Sequence, residues 1–113
     1  MVESIGAKLV EVVDPVTPLL LSEAEQTEYP YATYEMTTYE HRTKDGVYKI
    51  SATVYIRIYG QDFVDVDLLR SGIETAVATM QSAQYSATLQ TRNKDCIEGI
   101  WNIELSYTIN QYS

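Results

Sequence analysis

The sequence predicts an α+β domain: a four-stranded, mainly antiparallel sheet of order 1-2-4-3, with a long helix on one face and a short N-terminal helix ahead of it. Three observations carry this. From Val47 to Tyr59 every even position (Tyr48, Ile50, Ala52, Val54, Ile56, Ile58) is apolar, the period-two mark of a strand with one buried face. After Gly60 the period lengthens to about 3.6, placing Phe63, Val66, Leu69, Ile73, Ala76, Val77 and Met80 on one stripe. Alternation resumes at Tyr85, Ala87, Leu89 and Thr91, and again at Trp101, Ile103, Leu105, Tyr107 and Ile109.

Taken in order, Ile5, Leu9, Val12 and Val13 have helical spacing and Ser4 is placed to cap them. Pro15 and Pro18 stop that helix. Ser22 to Pro30 is acidic and non-periodic, with Glu23, Glu25 and Glu28, so a single domain over 1–113 is expected to carry a flexible acidic arm near 14–30. Tyr31 to Glu40, rich in Tyr and Thr, is the first strand; His41 to Gly46, ending in Lys44-Asp45-Gly46, turns it into a hairpin with the long strand. That long strand reaches about 43 Å at ~3.3 Å per residue. The following helix, Asp62 to Ser82, covers only about 30 Å, so one helix cannot cover the strand. A hydrophobic overhang is expected, shielded by a neighbouring subunit.

Asp62 is the natural N-cap of this helix and Asp65 favours the positive end of its dipole. Gly72 weakens it by roughly 1 kcal/mol relative to Ala and is expected to permit close packing on the sheet. Tyr85–Thr91 and Ile97–Ile109 form the last two strands, with Arg92-Asn93-Lys94-Asp95 as the turn between them. If the long helix runs back across the sheet, the fourth strand pairs with the second, which puts the two best-patterned strands in the centre.

Composition narrows the function. Sixteen Asp and Glu against eight Lys and Arg give a net charge of −8, which repels nucleic acid and anionic membranes, so neither is expected as a partner. The single Cys96 has no partner for an internal disulfide, and the apolar runs fall far short of the roughly 20 residues a membrane span needs. With no signal peptide evident, a soluble cytoplasmic product is expected. Ten tyrosines against one Phe and one Trp suit a pleated, half-exposed sheet, and equally a surface covered on association. The cluster Tyr29, Tyr31, Tyr34 and Tyr39 favours association.

Catalytic chemistry finds little support. His41, the only histidine, lies on the first predicted turn between Glu40 and Arg42, where a solvated residue is expected rather than a base. Cys96 sits beside Asp95, whose charge works against thiolate formation. Asp62, Asp65 and Asp67 lack the glycine and terminal glutamate of a calcium loop, and capping explains two of them. Five scattered glycines make no phosphate-binding loop. No enzyme activity, cofactor or metal is expected. Charge placement says more: Arg42, Lys44, Arg92 and Lys94 fall in the two predicted turns, while residues 1–30 hold six acids and one Lys. Head-to-tail assembly would bring basic turns of one subunit against the acidic arm of the next. The candidate subunit interface is therefore Tyr29, Tyr31, Tyr39, Arg42, Lys44, Tyr55, Arg57, Arg92 and Lys94.

The run Tyr29-Pro30-Tyr31-Ala32-Thr33-Tyr34, then Asp45-Gly46-Val47-Tyr48 opening a long strand, then the helix and the final Gly99-Ile100-Trp101 strand occur in a set order and spacing. On these the chain resembles the tail terminator and tail-completion (head-tail joining) proteins of long-tailed bacteriophages and prophages, over about its last three quarters. It departs from them at the N-terminus, where a fuller helix usually precedes the proline strand. The resemblance implies a small α+β domain in a homo-oligomeric ring, usually a hexamer. Such a ring docks on the last ring of tail tube protein, ends its polymerisation and offers its other face to the neck or head connector. It implies a virion structural protein in the tail, assembled in the bacterial host cytoplasm, without catalytic residues. Two other classes remain open beside another neck or head-tail joining protein. One is a small α+β ligand-binding module that dimerises through its sheet and needs an apolar cavity. The other is a metal-dependent enzyme using the carboxylates from Asp62 to Asp67.

Overall fold

The structure, a computed structural model, describes residues 4–17, 19–20, 29–44 and 46–112. Helix α1 (Ile5–Val13) is followed by a two-residue strand β1 (Leu19–Leu20), the hairpin β2 (Tyr31–Thr43) and β3 (Gly46–Gly60), helix α2 (Phe63–Ala78), and the hairpin β4 (Tyr85–Ile97) and β5 (Ile100–Tyr112). The sheet order is β1-β2-β3-β5-β4. Its four long strands are antiparallel throughout and stand in the 1-2-4-3 order read from the sequence, β3 and β5 central. The short β1 adds a parallel edge, Leu19 opposite Ala32 and Leu20 opposite Thr33, inside the stretch expected as an arm. Residues 21–28, the acidic part of that arm, lie outside the described residues.

Both helices begin as their caps dictate. Ser4 Oγ accepts from the Ala7 amide at 3.2 Å, and Asp62 Oδ1 accepts from the Val64 amide at 2.8 Å, each satisfying a first-turn donor that has no helical partner. Helix α2 lays Val66, Ile73, Ala76 and Val77 on the sheet. They meet Val54, Ile56 and Ile58 of β3 and Ile103, Leu105 and Ile109 of β5, with Leu9 and Val13 of α1 completing the core. Each fully buried aliphatic side chain contributes about 1.5–3 kcal/mol from water exclusion. Gly60 lets the end of β3 pass under α2, since a Cβ there would sit 2.4 Å from Val66 Cγ2. Gly72 has a different role from the one expected. A Cβ at that position would lie 2.8 Å from Val16 Cγ1, so the close approach is to the turn after α1 and not to the sheet.

The second hairpin corrects the sequence reading twice. Arg92–Asp95 are not a turn but the middle of β4, and the chain reverses at Glu98-Gly99, both at positive φ (53° and 80°). Those angles match the right-handed twist of a two-residue hairpin, and polarity alone does not locate such a turn. A register shift between Leu89 and Thr91 then reverses the facing of β4. Tyr85, Ala87 and Leu89 face the helices as expected. Thr91 pairs with Ser106 on the other face, and Arg92 and Lys94, opposite Leu105 and Ile103, take the helix side.

The molecule measures 52 × 24 × 23 Å, and its hairpin tips lie at opposite ends of the long axis: Thr43–Gly46 beyond the end of β5, Ile97–Ile100 beyond the end of β3. With 16 residues, α2 spans about 24 Å, so the sheet does outrun its helix. The surface left over is not the hydrophobic one expected. On the helix side it amounts to partly buried Ile50 beside exposed Thr38 and Glu40, while half-exposed Tyr48, at the register shift, lies 6.0 Å from the His41 ring. The opposite face carries tyrosine, threonine, serine, asparagine and charge, with exposed Ile97 opposite Ile100 at the β4–β5 tip. The other aliphatic side chains of β3 and β5 point to the helices because the alternation is strict, which leaves a mainly polar set outside.

Candidate assembly surface

No described element lies on this second face. Its columns are Tyr31, Thr33, Glu35, Thr37, Tyr39 and His41 of β2 against Tyr59, Arg57, Tyr55, Thr53, Ser51 and Lys49 of β3. Beyond them come the Asn102, Glu104, Ser106, Thr108 and Asn110 positions of β5. At one end the Tyr31 ring stacks on Tyr59, centroids 4.9 Å apart, and meets the tilted ring of Tyr29 at 5.5 Å. In the middle Arg57 bridges two strands, its Nε donating to Glu104 at 2.9 Å and its Nη1 to Glu35 at 3.1 Å, with the guanidinium 5.8 Å from the Tyr55 ring centroid. The bond to Glu35 leads in raising the Arg57 pKa; burial opposes it, and the bond to Glu104 with both carboxylate charges carries the balance upward. The bridge fixes charge at the centre of a face that is mainly aromatic and hydroxyl- and amide-bearing, with Lys49 and Asp95 towards its ends.

At the other end a hydrogen-bonded line crosses the sheet. His41 Nε2 lies 2.9 Å from Ser51 Oγ, Ser51 Oγ donates to Asn110 Oδ1 at 2.6 Å, and Asn110 Nδ2 donates to Ser86 Oγ at 3.2 Å. Because Ser51 commits its only proton to Asn110, it accepts from His41. An imidazole donating to a hydroxyl does not activate it, so this contact orders the sheet and is not a nucleophile with its base. His41 is also not on a turn, as expected, but within β2, half-buried beside the Tyr39 ring, which meets it edge-on at 4.7 Å.

The nine candidate interface residues divide. Tyr31, Tyr39, Tyr55 and Arg57 share the second face, with Tyr29 joining through its ring contact. Tyr31 is 9% exposed, so it supports that face from below, while Tyr39 at 66% is its most open aromatic. Arg42 and Lys44 stand at the β2–β3 tip, where Arg42 pairs with Glu40 at 2.6 Å. Arg92 and Lys94 are on the helix side near the opposite end, so the four cations do not form one basic surface. Lys94 lies 5.1 Å from the Phe63 ring centroid, and Arg92 reaches α2 through Glu74 Oε1 at 2.5 Å and Oε2 at 3.1 Å. Glu74 also accepts from Arg70, which in turn donates to Asp67 at 2.8 Å. Burial pushes the Glu74 carboxyl up, but the bonds from Arg92 and Arg70 outweigh it and leave the pKa below its ordinary value. Burial also pushes the nearby Tyr107 hydroxyl up to about 12, with the Glu74 charge adding to the effect.

The two outer long strands, β2 and β4, are those the strand order read from the sequence places at the edges; how much of each edge is left uncovered was not read from it. Beyond the two residues held by β1, the outer edge of β2 from Tyr34 onward meets no described strand, and neither does the outer edge of β4. Gln81 Nε2 does donate to the Ala87 carbonyl of β4. Next to the β2 edge runs an open groove under α1, lined by Gly6, Ala7, Val10, Glu11, Asp14 and Tyr34. The signal for these edges lay in the order of the strands and not in any one of them. An enclosed apolar chamber of the kind a ligand-binding module needs is not what this groove provides.

Asp62 caps α2 and Asp67 holds Arg70, and among the described residues no three His, Cys, Asp or Glu side chains gather where a metal ion would sit. No helix among them is long and apolar enough to cross a membrane. No protein-family model matches the chain, and no curated protein matches it. Among solved structures, its fold is similar to that of a chain in the virion of a native gene transfer agent (GTA) particle. The TM-score is 0.61 at 11% identity, covering 98% of this chain and 87% of that one, and at such identity the likeness is one of fold.

Proposed function

We propose that this chain is a structural protein of a phage-like virion, of the tail-terminator type. Copies form a ring, six in number by the family resemblance, that seats on the last ring of tube protein, stops its growth and joins the tail to the neck. The observation that carries this reading is a sheet whose outer long strands meet no described strand over most of their length and whose second face has no described cover, in a fold like that of a virion chain over 98% of this chain and 87% of that one. Edges and a tyrosine-rich face are what an assembling subunit needs, since aromatic side chains give large contact area and polar tips that tolerate water before contact. The net charge of −8 adds a passage that does not hold DNA. The function is geometric, and the chain is read as no enzyme.

The test is tube length. Purified protein added to polymerising cognate tube protein is expected to shorten the tubes in proportion to dose and to appear by electron microscopy as an extra ring at one end. Tubes of unchanged length with bare ends would overturn the reading.

A further inference from the structure

We infer that the β4 edge of one copy joins the β2 edge of the next, continuing the sheet from subunit to subunit. The inference rests on the assembly reading above and names its contact.

Direction comes first. Along β2, β3, β5 and β4 every neighbour is antiparallel, so β2 and β4 run opposite ways. Two copies side by side in the same orientation therefore meet as an antiparallel pair along the stretches that meet no described strand, β2 from Tyr34 onward and the outer edge of β4, with Gln81 giving up the Ala87 carbonyl. Register comes next. Thr37, Thr53, Thr108 and Thr88 form one row across the four strands, and Met36, Val54, Tyr107 and Leu89 form the row beside it. Copies held level then place Thr88 opposite Thr37 on the bare face and Leu89 opposite Met36 on the helix side. The same step sets Ala87 against Thr38 and Arg92 against Tyr34. Each is a like or compatible cross-strand pair, and Met36 and Leu89 are each only partly buried in the single chain.

Charge selects the same partner. On the helix side β4 presents Arg92, level with Tyr34, while Lys94 falls level with Ala32, where β1 already pairs; the groove beside the β2 edge carries exposed Glu11 and Asp14 on α1 and its cap. A second copy thus brings the Arg92 cation to a groove whose rim is acidic. Pairing β4 with another β4 would bring these cations towards their own kind, so the head-to-tail join is the complementary one.

Cysteines at Thr37 and Thr88, both exposed, test the register in a Cys96→Ser background of the full chain. The Thr37→Cys/Thr88→Cys protein is expected to oxidise to a ladder of covalent multimers. A mixture of the two single variants should stop at dimers, and neither single variant should cross-link alone. Cross-linking of one single variant with itself would overturn the head-to-tail join. Light scattering on the same samples separates the failures: multimers without cross-links sink this contact alone, and monomers without cross-links sink the assembly reading with it. As a second measurement, Thr37→Arg/Thr88→Arg is expected to weaken association by about fivefold per join, since like charges directly opposite destabilise a pair. Thr37→Arg/Thr88→Asp should restore it. Equal association of the two double variants would overturn the proposal even where the cysteine variants fold poorly.

Discussion

Ile56 and Tyr55 are neighbours on β3, yet one lies fully buried beneath the helices and the other is 36% exposed on the face where no described element sits. The comparison holds along the strand. Ala52, Val54, Ile56 and Ile58 are closed off within the chain, while Thr53, Tyr55 and Arg57 look outward. The helix side is occupied by aliphatic side chains that depend on each other. The bare side is occupied by groups that are content in water but offer area and hydrogen bonds to a partner. Alternation lets one segment hold the monomer together and prepare a contact, with few residues required to do both.

The sharpest way to break this division is Ile56→Ala. A cavity under both helices is expected to cost about 2–5 kcal/mol in urea unfolding, with loss of assembly following only because the fold weakens. A loss under about 1 kcal/mol would mean that the helix side is not the core.

Next in size is Glu74→Gln, which probes the one ionic tie from α2 to β4. A carboxyl whose pKa is lowered on folding stabilises above its unfolded value of 4.5, and that contribution fades as the pH falls through the lowered folded value. The substitution is therefore expected to cost about 1.5 kcal/mol at pH 7, and the gap between wild type and variant should close as the pH falls below 4.5 and through the lowered folded value. A gap that does not narrow on acidification would mean that packing, and not charge, carries the contact.

The smallest effect on stability belongs to Tyr55→Ala, within about 0.5 kcal/mol as for most surface positions. It is nonetheless expected to diminish addition to tube ends in the tube-length assay. Unaltered capping would remove the bare face from the contact and leave the edges to carry it.

The strands and helices were legible in the sequence because β3 and α2 are strictly periodic: each even residue from Ala52 to Ile58 is buried, and the α2 stripe is covered wherever it meets the sheet. Where one extra residue interrupts a polar strand, the pattern gives no warning. Gln90 supplies that residue in β4, and it moved Arg92 and Lys94 from an expected turn to the helix side. The turn itself was hidden because Glu98 is an uncommon residue at positive φ; Gly99 was its one sign. Leu19–Leu20 is too short to show a period. The bare face was half legible: its tyrosines were identified, but Tyr31 proved to be buried, and the polar line from His41 to Ser86 depends on partners brought together from four strands. The edge strands followed from the 1-2-4-3 order, but the part of the β2 edge that β1 takes did not, since two residues carry no pattern.

The hairpin tips fix a further property. With Lys44 at one end and Glu98-Gly99 at the other, a row of upright copies has two chemically unlike rims, as a coin has heads and tails. Under the proposed assembly, a ring of such copies carries polarity at no added cost, so a tube and a neck that each recognised one rim would be kept apart by the protomer itself, without a separate device to orient it.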